Sequence, residues 1–349
     1  MAEIHDLVMR LGKDGAKSEL IARLPDKDKE RLATSLVEQV EKAAQIMLDD
    51  SNAFSISYSG FCVLALPHKA LPNSTDKWER TVADGKYSLR IEPGSLRIGG
   101  NWQEFGVPFG SRARLILLYL QTQALYHNSR EIRLGSSLYD WLGRMNIPVG
   151  GQAYKAVKEQ SNRIRAAKLA FSMAGEKDGR SYDGFQQDFI VKSGVIFSDD
   201  DLSADPRQQR LWEDVIVLSE TFFQALSAHP VPVSEAAIRA ISNESWAIDC
   251  YVWLCYRLHN LKKPTLVTWA DLRDQFGPSV AYRRLSNFKQ KFMPVLCSAL
   301  AVYPEAKVDI ESKSKQGIIL YPSPPAVSRD RIHAVSLPEK GGRQLIVGN

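Results

Sequence analysis

Apolar residues recur at helical spacing along Asp26 to Leu48, where Leu32, Leu36, Val40, Ala43 and Met47 share one face. Pro25-Asp26 supplies a start signal for that helix. The residues ahead of it show no comparable pattern and are expected to be loosely ordered. Ser55 to Leu66 reads as a strand ended by Pro67, and Tyr87 to Ile98 as a hairpin broken at Pro93-Gly94. Ser111 to Tyr126 is apolar enough for a buried strand, but its length predicts a buried helix.

A composite pattern then occurs twice. In the first copy a short strand, Glu131 to Leu134, precedes a helix that Ser137 is placed to cap, with Asp140 at the reciprocal position. Leu138, Trp141, Leu142 and Met145 make its buried face. A turn of Pro148, Gly150 and Gly151 leads to a basic helix, Ala153 to Leu169, expected to bury Ala156, Val157, Ile164 and Ala167 and to present Lys155, Lys158, Asn162 and Arg165. Strands with a polar tip at Gly175 to Arg180 follow. In the second copy Leu266-Val267 is the strand, and Thr268 with Asp271 repeats the capping pattern. Trp269, Leu272 and Phe276 are the buried face, Gly277-Pro278 is the turn, and Ala281 to Leu300 is the basic helix. A hairpin from Val308 to Tyr321 closes the unit, with Lys313 and Lys315 in its polar turn. Strand, short helix, turn, basic helix and two-stranded wing is the order of a winged helix-turn-helix. The expected fold is therefore α+β, mostly α, with two tandem winged helix-turn-helix domains behind an N-terminal helical and β extension.

Along Ala281 to Leu300 the apolar stripe is Leu285, Phe288, Phe292 and Leu296. Arg283, Asn287 and Gln290 point the other way, flanked by Arg284 and Lys291. A solvated basic face is the ordinary reading of such a helix. The alternative is major-groove recognition, since arginine and lysine read guanine edges and amides read adenine. Pro294 predicts a kink in the distal half.

Composition adds less. The chain of 349 residues, 44% hydrophobic and 24% charged, suits a soluble protein of two or three domains. A formal net charge of +5 is weak evidence for a nucleic-acid partner until the charge is localised. The cysteines, Cys62, Cys250, Cys255 and Cys297, form no CxxC pair and read as reduced and mostly buried, which fits a cytoplasmic protein. The N-terminus lacks a signal-peptide pattern, and the apolar run Leu115 to Leu120 is too short to span a bilayer.

No catalytic constellation emerges. Gly12 to Ser18 resembles a phosphate loop but has the wrong spacing, with Lys17 already in the position of the second glycine. The six histidines are scattered, and none makes the metal pair a nicking enzyme needs. His229 and His259 fall near helix C-termini, where the helix dipole explains them. Tyr154 beside Lys158 reads as a helix-surface tyrosine. Asp199-Asp200-Asp201 with Asp205 reads as a solvated acidic loop. No cofactor, metal or enzymatic activity is expected.

The run Gly106-Val-Pro-Phe-Gly-Ser-Arg-Ala-Arg-Leu-Ile-Leu-Leu-Tyr-Leu-Gln-Thr-Gln-Ala124 resembles a signature of the plasmid-encoded RepA replication initiators. Ser129-Arg-Glu-Ile-Arg-Leu-Gly135, Trp141-Leu-Gly-Arg-Met145, Ala301-Val-Tyr-Pro-Glu-Ala306 and Tyr321-Pro-Ser-Pro-Pro325 are similar to the same family. The resemblance runs from about Phe54 to Pro325. It implies a protein that binds iteron repeats at a plasmid origin, promotes origin opening, and recruits host DnaA and the replicative helicase. It also implies a monomer–homodimer equilibrium in which the dimer represses its own promoter. A winged-helix repressor with no role in replication is the alternative.

Carried onto this chain, the resemblance implies an N-terminal extension over 1–52 and a first module over 53–230 for dimerisation and backbone contact. A second module over 231–325 reads the major groove, and a tail covers 326–349. The expected DNA contacts are Arg283, Arg284, Asn287, Gln290 and Lys291, then Lys155, Lys158, Asn162 and Arg165, with Lys313 and Lys315. Arg112 and Arg114 of the signature either touch phosphate or pair with a carboxylate inside the fold.

Overall fold

The computed structural model describes residues 2–25, 29–82, 85–147, 151–177, 180–195, 215–277, 284–310 and 316–328. At about 49% helix and 24% strand, the chain is α+β. Its elements run α1 (Ala2–Ala22), α2 (Lys29–Met47), β1 (Phe54–Tyr58), α3 (Ser59–Val63), β2 (Trp78–Val82), β3 (Tyr87–Glu92), β4 (Gly94–Ile98) and β5 (Asn101–Phe105). Then follow α4 (Gly110–Tyr126), β6 (Glu131–Arg133), α5 (Gly135–Arg144), α6 (Gly151–Ala166), β7 (Lys168–Lys177), β8 (Arg180–Phe189), β9 (Val191–Val195) and β10 (Val215–Leu218). The last third comprises α7 (Glu220–Ala228), β11 (Pro230–Ser234), α8 (Glu235–Ala240), α9 (Ser245–Leu258), β12 (Thr265–Thr268), α10 (Trp269–Phe276), α11 (Leu285–Ala301), β13 (Val308–Asp309) and β14 (Gly317–Leu320). Two units emerge, one combining Met1–Ser55 with Val231–Pro338 and the other built chiefly from Ile56–Pro230.

In the Ile56–Pro230 unit, α4 is buried along most of its length, as its apolar run predicts. The expected hairpin through Tyr87 to Ile98 does not form. Pro93 interrupts it, so β3 pairs with β2 and β7, while β4 turns back on β5. The Ser55–Leu66 strand is likewise shorter than expected, because the chain turns helical at Ser59.

The first copy's hairpin also differs from expectation. β7 and β8 join β2 and β3 in a four-stranded sheet of order β2-β3-β7-β8. The short strand β6 pairs instead with β10, which pairs with β9, giving the order β6-β10-β9. The acidic residues Asp199 to Asp201 and Asp205, between β9 and β10, lie outside the described residues.

In the other unit the corresponding sheet has the order β12-β14-β13, again with the short strand beside the last one. The helices α9, α10 and α11 close over this sheet around Trp253, Leu272, Phe276, Phe288, Phe292 and Leu296, all buried. The N-terminal residues, expected to be loose, are helical, with a kink at Gly12 where φ is +70°. Ile4, Leu7, Val8, Ala16 and Leu20 of α1 bury against Val40, Ala43 and Ala44 of α2. Leu32, expected on that face, is 37% exposed. The Gly12–Ser18 segment is part of this helix pair, and Lys17 is spent on Glu41 at 2.7 Å.

A reciprocity follows from the packing. Helix α2 leads into the first module, yet it packs on α8 and α11 of the second. Helix α7 leads into the second module, yet it packs on α4 and β8 of the first. Each unit is thus completed by a helix that the chain places ahead of the other.

His5 fastens α1 to this arrangement. It is buried, and its Nε2 donates to the Ala301 carbonyl at 2.8 Å, at the end of α11. Burial holds the imidazole below its ordinary pKa of 6.5, with the Ala301 bond and Glu305 opposing the shift. A depressed folded-state value means the unfolded chain binds the extra proton. The contribution is therefore intact above about pH 6.5 and lost as the pH falls through the lower folded value. The unfolding midpoint should drop across that window, and His5→Gln, which keeps an N–H donor, should flatten the drop. An unchanged slope in His5→Gln would place the pH dependence elsewhere.

Candidate nucleic-acid interface

The second basic helix is positioned by a cap and an aromatic stack. Thr268 Oγ1 accepts from the Asp271 amide at 3.1 Å, and Asp271 Oδ2 accepts from the Thr268 amide at 3.0 Å. This is the reciprocal capping box predicted from the spacing. Gly277 ends α10 with its amide on the Arg273 carbonyl, and a Cβ there would lie 2.5 Å from that oxygen, so glycine is required. Phe292 stacks on Phe276 and on Phe288, each with ring centroids 5.1 Å apart, and Trp253 meets Phe276 edge-on. These rings set the rotation of α11 and hence which residues face outward.

Helix α11 begins at Leu285, four residues later than expected. Arg284 is its extended N-cap residue, with φ −101° and ψ 123°. Leu285, expected on the core side, is 39% exposed at the first position of the helix, while Phe288 in the same turn is buried. Asn287, Gln290 and Lys291 are exposed along one side, with Arg284 exposed at the near end. Pro294 lies inside the helix, beyond the exposed polar row. Lys289 was not singled out by the sequence pattern. Its ammonium sits 4.8 Å from the Trp269 ring centroid, so α11 reaches back to the start of α10 through a cation–π contact. Arg283, Lys313 and Lys315 lie outside the described residues.

The first basic helix departs further from expectation. Its partner α5 starts at Gly135, with Leu134 at the N-cap position, so Ser137 falls inside the helix rather than at its cap. Asn146 ends the turn in the left-handed region, φ +59°, a common helix-stop conformation. On α6, Val157 and Ile164 are buried as predicted and Ala167 just beyond it is too, but Ala156 is exposed. Lys155 and Lys158 are exposed one turn apart. Asn162 does not face out. It is buried, and its Oδ1 accepts from Arg165 at 2.9 Å, leaving Arg165 half-buried. The C-terminal half of α6 is walled in by α4, β4, β5 and β9, which closes the face that the periodicity left open.

The signature segment Gly106–Ala124 proves to be the brace for this helix. Arg163 of α6 donates to the Val107 carbonyl at 3.2 Å and lies 5.0 Å over the Phe109 ring, while Gln160 Oε1 accepts from the Phe109 amide at 2.9 Å. A Cβ on Gly106 would meet the Arg163 guanidinium at 2.7 Å, and Gly110 opens α4 at φ +73°. Arg114 is a correction to the sequence reading. It is 5% exposed and donates to the carbonyls of Leu66, Pro67 and Gly110 at 2.7, 3.1 and 2.8 Å. Its donors are consumed by the fold, so they are not presented to phosphate. Arg112 is half-buried, donates to Ser111 Oγ at 3.1 Å, and has its guanidinium pKa lowered by desolvation.

Residues 107–271 match the family described as plasmid encoded RepA protein. Two solved structures of domains 2 and 3 of RctB are similar. One, of selenomethionine derivatives, has 12% identity and a TM-score of 0.44, covering 75% of this chain and 96% of that one. The other has 11% identity and a TM-score of 0.44, covering 74% and 94%. No curated protein matches the chain. Among the described residues, no helix is long and apolar enough to cross a membrane.

Proposed function

We propose that this chain is a plasmid replication initiator that binds iteron DNA through two winged-helix modules, promotes origin opening, and acts without nucleotide hydrolysis. The observation that carries the reading is the repeated strand order. In both sheets the short strand before the helical turn pairs with the last strand, and the middle strand lies outermost. That order, with a basic helix between, supports a winged-helix reading of both modules. In the first module the wing is then β9–β10, and β7–β8 is an inserted hairpin. The family match supports the replication role.

Major-groove reading falls to α11 through Asn287, Gln290 and Lys291, with Arg284 on flanking phosphate. Arg283 and the wing lysines Lys313 and Lys315 keep the roles assigned from sequence. Lys155 and Lys158 of α6 serve the backbone, and Arg112 of the signature is assigned to phosphate as well. Phosphate contacts supply affinity and register, and base contacts supply choice. Recruitment of DnaA and helicase belongs to the same proposal. Homodimerisation and self-repression complete it, supported by the outer strand β8 with Phe185 81% exposed. Sedimentation across concentration reads the dimer.

The test is binding to the chain's own origin repeats and to scrambled duplex over a salt series. Asn287→Ala should weaken the repeats by about 1–3 kcal/mol and leave scrambled DNA unchanged. Lys155→Ala should weaken both alike and reduce the salt slope by about one. Equal losses on both duplexes for Asn287→Ala would remove its reading role. Plasmid maintenance with the protein supplied in trans separates an initiator from a repressor of the same fold.

A further inference from the structure

The β4–β5 hairpin is the least accounted-for feature of the Ile56–Pro230 unit. Its base is anchored: Phe105 is buried, and a Cβ on Gly94 would lie 2.3 Å from the Ala166 carbonyl, so the strand abuts the end of α6. Its tip is a two-residue turn with Gly99 at φ +57° and Gly100 at φ +84°, the rigid turn that suits the strand twist. Beyond the base the face that carries Arg97 and Trp102 is exposed, while Leu96 and Ile98 on the other face are half-buried. Asn101 through Glu104 are all exposed.

Trp102 is 71% exposed, the largest side chain left uncovered to that degree among the described residues. It stands directly across from Arg97, on the same face by register. Arg97 donates to the Gly100 carbonyl at 3.2 Å and has no carboxylate partner among the described residues. Asn101 and Gln103 present amides on the opposite face, while Glu104 shares the face of Trp102 one pair nearer the base, across from Ser95. None of these groups holds the fold together.

We propose that this hairpin tip is a stacking platform for an unpaired base of single-stranded DNA, with Arg97 on the adjoining phosphate. The inference rests on the initiator reading and extends it to the strand released when the origin opens. An indole plane accepts any base, and a neighbouring cation tracks the backbone. A protein partner fits less well. A stable protein interface needs about 800 Å² per side around a desolvated centre, and a two-stranded finger without a surrounding apolar patch does not provide that. The anchored base and glycine turn hold the indole in place before binding, so little ordering is needed when a base arrives.

The experiment uses the full chain, fluorescein-labelled oligo-dT and a random duplex of equal length, read by anisotropy. Trp102→Ala should weaken oligo-dT binding about tenfold, leave duplex binding within about twofold and leave the thermal midpoint unchanged. Trp102→Phe should restore most of the loss, because a stacking plane remains. Unchanged oligo-dT affinity in Trp102→Ala, with duplex binding intact, overturns this inference alone. A change in self-association with oligo-dT binding unaltered overturns it in favour of a protein contact. A wild-type chain that binds neither oligo-dT nor duplex removes the initiator reading along with it.

Discussion

Phe292→Ala should lower the unfolding free energy by about 3–5 kcal/mol, a large fraction of the stability of a protein of ordinary marginality. The side chain is fully buried between Phe276 and Phe288, with Trp246 a further 6.5 Å neighbour. Truncation removes two stacked contacts and leaves a cavity between α10 and α11, the pair whose relative rotation aims Asn287 and Gln290. Equilibrium denaturation should show a lower midpoint with an unchanged slope, since the native surface is preserved. Sequence-specific DNA binding should fall in the same variant, although Phe292 touches no solvent. Phe292→Leu should recover part of both. A loss of DNA binding with full stability retained would instead give Phe292 a direct role and contradict its burial.

Arg114→Leu should cost about 3–5 kcal/mol, for a different reason. Leucine fills much of the volume but removes three guanidinium hydrogen bonds, leaving the Pro67 carbonyl with the Gly110 amide at 3.0 Å and the Leu66 carbonyl without the Arg114 donor. A hydrogen bond from a charged donor is worth about 1.5–3 kcal/mol. Arg114→Lys should rescue only part, because a single ammonium cannot reproduce the planar fork that spans three acceptors. The measurement has a second arm. If Arg114 reached phosphate, the salt slope of DNA binding would change while stability held. The buried geometry predicts the reverse.

The capped start of α10 in the second copy was legible because local chemistry dictates it. Thr268 and Asp271 lie three residues apart, and the capping box forms as that spacing requires. The stripe Phe288, Phe292 and Leu296 is buried as its period demands. What the sequence left hidden was decided by distant partners. Nothing near Asn162 announces that β4, β5 and β9 will wall in the outer face of α6. The pairing of β6 with β10 rather than with the hairpin after α6 joins residues more than eighty positions apart. Arg114 stood open between phosphate contact and a carboxylate partner, because a free guanidinium and a satisfied one are identical in sequence. The carbonyls that satisfy it at Leu66 and Pro67 come from another part of the chain.

The crossing of α2 and α7 also bears on synthesis. His5 and Ala301 are separated by 296 residues along the chain. At about 5–20 residues per second, a ribosome needs roughly 15–60 s to travel between them. For that interval α1 and α2 exist without the surface they finally cover, and Ile4, Leu7 and Val8 have only the α1–α2 pairing to shelter them. Helices α1 and α2 are made well ahead of α11, so a nascent chain offers this apolar hairpin to chaperones or proteases before the surface that covers it exists.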